Sequence, residues 1–229
     1  LWEATSCKNG ISALELSRKI QVQYKTALFM MHRIRLAMAD NPKNPSPKLS
    51  GEVEIDETYC GGKPRYKGPA TRVKRATGRG CDKVPVMAMV ERGGEVRARV
   101  IARITSDNIG KMLRKHVEPG TRIITDEYPA YRRPCAEHGT HDKVKHYLGE
   151  YVSKWDPSIH TNTIEGFFSR VKRGLTGTYH AVSPEHLHRY ISQFAFAYNT
   201  REMNDGERFS ALVNRTGGKR LMYRNPAAA

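Results

Sequence analysis

A proline-rich segment at residues 41–47 divides the chain into two parts with different hydrophobic periodicities. Its prolines, Pro42, Pro45 and Pro47, exclude a helix and disfavour a central strand. Before this segment, apolar residues recur at helical spacing. Directly after it, they alternate with polar residues, as in a half-buried strand. We therefore interpret residues 41–50 as a linker between an N-terminal helical segment and the main domain.

Residues 12–38 are predicted to form two helices separated by a short turn at residues 21–23. A helix, a short turn and a basic second helix are typical of the helix-turn-helix motif, whose second helix enters the major groove of DNA. We assign residues 1–40 to such a DNA-binding segment, with an ordinary helical hairpin as the alternative. The cations of the second helix assigned to DNA are Lys25, Arg33 and Arg35.

After the linker, strand and helix patterns follow one another in the order typical of an α/β domain. Residues 51–59, 84–91 and 95–101 are predicted strands, the last two joined by a glycine turn. Further predictions are a helix from Ser106 or Asp107 to residue 117, a strand at 121–125, a short helix or turn at 128–132, a strand at 143–148, and helices at 163–175 and 184–199. This order predicts an RNase H-like mixed sheet flanked by helices over residues 51–201, followed by a basic tail at 202–229.

The net charge of +16, from 39 Lys and Arg against 23 Asp and Glu, indicates a polyanionic partner. Nucleic acid is the leading candidate, and an anionic membrane surface is a weaker one. Residues 63–83 hold eight Lys and Arg and one Asp, and we predict a loop that contacts phosphates, with a solvated loop as the alternative. The loop residues assigned to DNA are Lys63, Arg72, Lys74, Arg75 and Arg79.

Membrane, secreted and zinc-binding classes are not indicated by the sequence. Apolar runs such as residues 84–90 are far shorter than the ~20 residues of a membrane span, and no signal-peptide pattern is visible. The four cysteines form no CxxC pair, and no pair of histidines has a familiar zinc spacing, so we expect reduced thiols in a cytoplasmic protein. Because the chain begins with Leu1 rather than Met, we expect a fragment of a longer chain.

Three acidic residues fall where two predicted strands and a predicted helix can present them together. Asp56 lies near the end of the first strand, Asp126 directly follows the strand at 121–125, and Glu165 lies in the first turn of a late helix. Three such carboxylates can hold two Mg²⁺ ions for phosphoryl transfer, because Mg²⁺ prefers oxygen ligands. Taken singly, Asp56 can be a solvated strand residue and Asp126 can simply start a turn.

The late helix offers further candidates and a simpler interpretation of Glu165. Asn162 at a helix N-cap and Glu165 three residues later form a capping-box pattern. Lys172 lies nearly two helical turns after Glu165, so the two side chains share a face on which a lysine can neutralise a phosphate. The alternative is a solvated basic face. The neighbouring cations assigned to DNA are Arg170 and Arg173.

At these residues the chain resembles the DDE transposases of bacterial insertion sequences, specifically the ISXO-type transposase domain. The matching segments are GEVEIDETY at 51–59 with GGK at 61–63, IITDEY at 123–128 with Tyr131, HTNTIEGFF at 160–168, KRG at 172–174, GTYH at 177–180 and FAYN at 196–199. The resemblance covers about residues 51–201. The predicted helix-turn-helix resembles the region that precedes the domain in this family.

The resemblance implies an RNase H-like fold, two Mg²⁺ or Mn²⁺ ions, and DNA cleavage followed by strand transfer. It implies that Asp56, Asp126 and Glu165 bind the metal and that Lys172 assists, while Asn162 stays a candidate because relatives can carry Asn as the third residue. The implied partners are the terminal inverted repeats and the target DNA, bound by a homo-oligomer, with no membrane as a partner. Two alternatives are a non-catalytic DNA-binding protein and an RNase H-like nuclease that cuts without joining.

Overall fold

Five strands form one mixed sheet in the computed structural model, which describes residues 1–41, 45–61 and 83–222. The strands are β1 (Glu52–Cys60), β2 (Val84–Glu91), β3 (Val96–Val100), β4 (Arg122–Thr125) and β5 (His141–Lys143), in the spatial order β3-β2-β1-β4-β5. β1, β2 and β3 pair antiparallel, whereas β4 lies parallel to both β1 and β5. This sheet with helices around it confirms the predicted α/β class and the predicted element order.

Eight α-helices accompany the sheet in the described ranges. They are α1 (Trp2–Ser6), α2 (Ala13–Lys19), α3 (Tyr24–Met38), α4 (Ser106–His116), α5 (Arg132–His138), α6 (Asn162–Arg173), α7 (Pro184–Asn199) and α8 (Asp205–Asn214). Short 3-10 turns lie at Pro129–Tyr131 and His146–Leu148, and a π-helical turn at Gly174–Thr178 extends α6. None of the described helices has both the length and the apolar character needed to span a bilayer.

The sheet belongs to one compact unit, Lys48–Ser169 with Ala181–Glu185, which we call the sheet unit. Val53 and Ile55 project from one face of β1 into a core closed by α4 and α5, as the predicted alternation of β1 requires. From the helices, this core takes Ile109 and Leu113 of α4 and Cys135 of α5. Glu54 and Asp56 consequently lie on the opposite face of β1.

The other unit consists of Leu1–Pro47, Arg170–His180 and His186–Ala229, and we call it the helical unit. Its core joins α1, α2 and α3 with Phe196 of α7 and Leu212 of α8. The predicted domain boundary at residue 201 therefore does not separate two cores, because residues before and after it pack in the same core. The segment 202–229 was predicted as a tail, but it contains a helix whose Leu212 is buried.

Three local predictions differ from the structure. The N-cap of α4 is Thr105, whose hydroxyl accepts from the Asn108 amide, and not Ser106 or Asp107. The last strand lies at His141–Lys143 rather than at 143–148, because pairing with β4 decides its register and the alternating residues after it form a 3-10 turn. The short helix or turn predicted at 128–132 corresponds to the 3-10 turn Pro129–Tyr131, and the helix α5 that follows it was not predicted.

Candidate active site

The parallel pairing of β1 with β4 puts the first two predicted acids at the same end of two neighbouring strands. Glu54 is the register partner of Ile124, and Asp56 and Asp126 each lie two residues beyond this pair. Neighbouring strands lie ~4.8 Å apart, but β4 ends at Thr125, so Asp126 belongs to the turn that follows the strand. One Asp126 carboxylate oxygen accepts from the Tyr128 amide at 3.0 Å, which fixes the turn that ends the strand.

Asp56 is half-buried, and this position changes its acidity. Burial is the main cause that raises its pKa, to about 8, and repulsion by Glu57 is the next. The carboxylates of Asp126 and Glu165 raise the pKa further, while the Glu57 amide, which donates to Asp56 Oδ1 at 2.7 Å, lowers it. The charges of Asp126 and Glu165 therefore both act on Asp56, and we call Asp56, Asp126 and Glu165 the acid cluster.

Glu165 is an exposed residue of the first turns of α6, and its carboxylate is held by two neighbours. The Thr161 hydroxyl donates to Glu165 Oε1 at 3.1 Å. His146 Nε2 lies 3.8 Å from the same oxygen and 3.4 Å from the Thr161 hydroxyl. Glu165 is thus oriented by the residue that precedes α6 and by the 3-10 turn after β5.

The start of α6 is held by Glu54, a residue that the sequence analysis did not single out. Glu54 is 0% exposed, and its carboxylate accepts from the Ile164 amide at 3.0 Å and from the Thr163 hydroxyl at 2.9 Å. A carboxylate at a helix N-terminus satisfies amides without an intrahelical partner and favours the helix dipole. The sequence feature that could have pointed to Glu54 is the alternation of β1, which places Glu54 on the same face as Asp56.

A cation balances this buried carboxylate. Arg92, in the β2–β3 turn, donates from Nε to Glu54 at 2.7 Å and from Nη1 to Glu52 at 2.8 Å. The same guanidinium donates to the backbone carbonyl of His160 at 3.0 Å, and the His160 ring nitrogen lies 3.3 Å from Glu54. Arg92 therefore links the sheet to the residue two positions before α6.

The capping-box interpretation of Glu165 is wrong. Asn162 is the first residue of α6 rather than its N-cap, and its side chain is exposed. Glu165 lies one position too late for the pattern, its amide donates to the Thr161 carbonyl, and its carboxylate accepts from the Thr161 hydroxyl. The carboxylate that caps this helix comes from β1, about 110 residues earlier in the chain.

Within the described ranges, no group of three or more His, Cys, Asp and Glu side chains is arranged so that it could hold a metal ion. The donors of the acid cluster nevertheless suit Mg²⁺ or Mn²⁺, which prefer carboxylate oxygens. Burial, and to a lesser extent the neighbouring carboxylates, disfavour the ionised form of Asp56. A cation bound there would supply that compensation.

Of the cations assigned to DNA, Arg35 is misassigned, because it is 1% exposed. Its guanidinium lies 3.9 Å from the centre of the Tyr190 ring, and its Nε donates to Gln193 at 2.8 Å. Lys25 and Arg33, on the same helix, are exposed. A helical face cannot be assigned from charge alone, since an arginine can also be buried against aromatic rings.

Of the remaining basic candidate residues, three lie within the residues that the structure describes and five lie outside them. Lys172 and Arg173 are exposed near the end of α6, and Arg170 is half-buried there. All three lie on the part of α6 that belongs to the helical unit. The loop candidates lie outside the described residues; they are Lys63, Arg72, Lys74, Arg75 and Arg79.

Two comparisons of the sequence point to mobile DNA elements. A family model described as an ISXO2-like transposase domain matches residues 48–199. An "uncharacterized protein in transposable element ISH50" from Halobacterium salinarum is 32% identical over 200 residues, which are 83% of this chain. The chain spans 65% of the length of that relative.

Two solved structures share low similarity with the chain. The Mos1 transposase paired-end complex with left transposon end matches with a TM-score of 0.36 at 11% identity, covering 91% of this chain and 75% of that one. The Mos1 strand transfer complex matches with a TM-score of 0.35 at 11% identity, covering 93% and 76%. Because these TM-scores are low, the α/β fold assignment depends on the observed strand order and not on these matches.

Proposed function

Because the chain belongs to the ISXO2-like transposase domain family, we propose that it is a DNA transposase whose acid cluster carries the chemistry. The observation that carries this proposal is the mutual position of the acids. Asp56 and Asp126 lie at the same end of two parallel neighbouring strands, and the charges of Asp126 and Glu165 both act on Asp56. A carboxyl group whose pKa is raised by burial and by neighbouring acids is typical of functional sites.

In this proposal, water cleaves a phosphodiester at the element end and frees a 3′-hydroxyl, which then attacks a phosphodiester of the target DNA. Two Mg²⁺ or Mn²⁺ ions, held by the acid cluster, would clamp the attacking and leaving oxygens. The chain's own contribution is position and charge. Glu54 fixes the start of α6, Thr161 and His146 orient Glu165, and Lys172 is our candidate for neutralising a phosphate.

The proposed partners are the terminal inverted repeats of the element and the target DNA, bound by a homo-oligomer in the cytoplasm of a bacterial host. Two element ends must meet for joining, which is why we propose more than one copy. Lys25 and Arg33 are exposed on α3 and are our candidates for contacts at the element ends. Asn162 stays a second candidate for the third active-site residue.

A supercoiled plasmid incubated with Mg²⁺, the protein and element-end oligonucleotides separates the possible activities. Joined product supports a transposase, cut product alone indicates a nuclease, and bound DNA alone indicates a non-catalytic binding protein. Asp126→Asn and Glu165→Gln should each abolish cutting and joining and leave DNA binding intact, because an amide lacks the charge that binds Mg²⁺. The matched control is Glu118→Gln, which changes an exposed acid of the same unit and should retain activity.

Two variants, Glu165→Gln and Asn162→Ala, distinguish the two candidates for the third active-site residue. Glu165→Gln with near-normal strand transfer would reject Glu165 and favour Asn162. Asn162→Ala should retain activity if Glu165 is the ligand, and since Asn162 does not cap α6, the variant should also keep its stability within about 0.5 kcal/mol. Loss of activity in a stable Asn162→Ala protein would reverse the assignment.

The basic segment at residues 63–83 is proposed to bind DNA phosphates. Replacing Lys74, Arg75 and Arg79 by Ala should weaken binding to every DNA sequence. The slope of log affinity against log salt should flatten by up to about 3, near 0.9 for each lost phosphate contact. An unchanged slope would show that this segment does not contact the DNA backbone.

A further inference from the structure

Each of the two aspartates of the acid cluster is followed directly by a glutamate that has no role in the chemistry described so far. Glu57 follows Asp56, and Glu127 follows Asp126. Both glutamates are half-buried, and each accepts a hydrogen bond from another segment of the sheet unit. These two bonds run between the segments that carry the three acids, so they bear on how the acids are held.

The side chain of Glu57 lies on the opposite face of β1 from that of Asp56. Consecutive strand residues alternate between the two faces, so Glu57 shares the face of Ile55, which packs in the core closed by α4 and α5. On this face, the Glu57 carboxylate accepts from the hydroxyl of Tyr131, a side chain that is 0% exposed. This position and this partner make Glu57 unsuited to bind a metal ion together with Asp56.

The bond between Glu57 and Tyr131 joins the end of β1 to the turn that carries Asp126. On the β1 side, the Glu57 amide donates to Asp56 Oδ1 at 2.7 Å. On the other side, the Tyr131 amide donates to the Tyr128 carbonyl at 3.1 Å, and the Tyr128 amide donates to Asp126 Oδ1 at 3.0 Å. The register pairs of β1 and β4 end two residues before the two acids, so this bond carries the connection of the two segments on to the acids themselves.

Glu127 joins the turn that carries Asp126 to the segment that orients Glu165. Its carboxylate accepts from the His146 amide at 2.9 Å. The ring of the same histidine lies, through Nε2, 3.8 Å from Glu165 Oε1. The backbone of His146 is thus held by the residue after the second acid, while its ring lies beside the third acid.

We propose that Glu57 and Glu127 are positioning residues, which connect the three acid-bearing segments and fix the relative positions of the acids for metal binding. This inference rests on the proposed function, because it takes the acid cluster to be the metal site. Ionised carboxylates at one site repel one another, and hydrogen bonds between the segments that carry them oppose their separation. Loss of a residue that orients metal ligands typically lowers metal affinity roughly 10-fold to 100-fold.

Binding of Mn²⁺ to the protein in the absence of DNA, followed by the electron paramagnetic resonance of the free ion, tests both residues. Tyr131→Phe removes only the hydroxyl that donates to Glu57, and Glu127→Ala removes the acceptor of the His146 amide. Each variant should weaken Mn²⁺ binding about 10-fold or more. Tyr131→Phe changes a single buried hydroxyl and remains a test if Glu127→Ala does not fold.

Glutamine variants distinguish a positioning residue from a metal ligand. Glu57→Gln and Glu127→Gln lose the charge but keep a carbonyl oxygen that can accept the same hydrogen bond. Glu127→Gln should therefore bind Mn²⁺ more tightly than Glu127→Ala, although both variants lack the charge. Asp126→Asn and Glu165→Gln, by contrast, should lose Mn²⁺ binding, because the charge of a ligand is what holds the ion.

The matched control for Tyr131→Phe is Tyr179→Phe. The Tyr179 hydroxyl accepts from Gln193 Nε2 at 2.8 Å, and both residues belong to the helical unit. Its removal should leave the affinity for Mn²⁺ unchanged even where it lowers the stability of the protein. A general loss of stability is thereby separated from a change in the position of the acids.

The outcomes separate this inference from the proposed function. Wild-type Mn²⁺ affinity in folded Tyr131→Phe and Glu127→Ala overturns the inference and leaves the transposase intact. Loss of Mn²⁺ binding in Glu57→Gln or Glu127→Gln that is as complete as in Asp126→Asn also overturns it, and makes that glutamate a metal ligand. A wild-type protein that neither binds Mn²⁺ nor cuts DNA overturns the inference and the proposed function together.

Discussion

At the scale of single residues, the carboxyl group of Asp56 should make stability depend on pH. Its pKa is about 8 in the folded protein against an ordinary value of 3.8, so between these pH values the folded protein holds a proton that the unfolded chain has released. The free energy of unfolding therefore falls as pH rises, by at most about 1.4 kcal/mol per pH unit, and levels off above the folded pKa. Asp56→Asn should remove this contribution.

Urea denaturation across that pH range measures the effect as the difference between wild type and Asp56→Asn. The matched control, Asp107→Asn, changes an exposed acid of α4 and should keep the wild-type dependence. Mg²⁺ should flatten the wild-type curve, because a bound cation favours the ionised carboxylate. Parallel curves for wild type and Asp56→Asn would contradict the shifted pKa.

Substitutions of two arginines of α3 should affect different properties, one the stability of the protein and the other its DNA binding. Arg35→Ala should lower the free energy of unfolding by about 2–4 kcal/mol, because it leaves a cavity against Tyr190 and removes the donor to Gln193. Arg33→Ala should change stability by no more than about 0.5 kcal/mol and weaken binding to the element ends. Denaturation and DNA titration of both variants measure the two effects. Equal losses of stability would contradict the burial of Arg35.

At the scale of elements, the start of α6 depends on Glu54. Glu54→Gln should destabilise the protein by about 3 kcal/mol, since it leaves the partly buried Arg92 without its main partner. It should also speed hydrogen exchange of the Ile164 amide, which donates a hydrogen bond to the Glu54 carboxylate. Glu52→Gln is the matched control: Glu52 binds the same arginine but is more exposed, so the loss should be about 1 kcal/mol or less. Identical exchange in both variants would reject the capping role.

The turn between α2 and α3 contains a strained residue. Gln21 has a φ of +54°, a conformation that costs a side-chain-bearing residue roughly 1–2 kcal/mol and glycine very little. Gln21→Gly should therefore raise the free energy of unfolding by about 0.5–1 kcal/mol, measured by urea denaturation. Gln23→Gly should give no such gain, because Gln23 has a φ of −61°. A loss of stability in Gln21→Gly would show that the strain is absent.

At the scale of the whole molecule, the N-terminal segment cannot be removed as a separate module. Deleting residues 1–47 should unfold the helical unit, because α1, α2 and α3 cover Phe196 and Leu212. Circular dichroism should then show a loss of helix greater than the deleted helices account for. Retention of a folded α7 and α8 would contradict this expectation. Exposed-residue variants such as Arg33→Ala are therefore the cleaner test of DNA recognition.

Local patterns were enough to predict much of the fold. The Ser12 cap, the two helices after it and the alternation of β1 were all predicted, because they depend on residues within a turn or a strand of one another. The three acids were singled out because they lie at strand ends and at a helix start, and their role stays a prediction. The charges of Asp126 and Glu165 act on Asp56 in the folded protein.

Tertiary structure decided what these residues contact. Sequence spacing could not separate buried Arg35 from exposed Arg33, because the difference lies in a ring and an amide about 155 residues away. It could not identify Glu54 as the cap of α6, or assign α7 and α8 to the core of the N-terminal helices. Periodicity reports only which residues share a face of one element. Which element covers that face depends on burial and charge pairing between distant segments, and these exist only once the chain has folded.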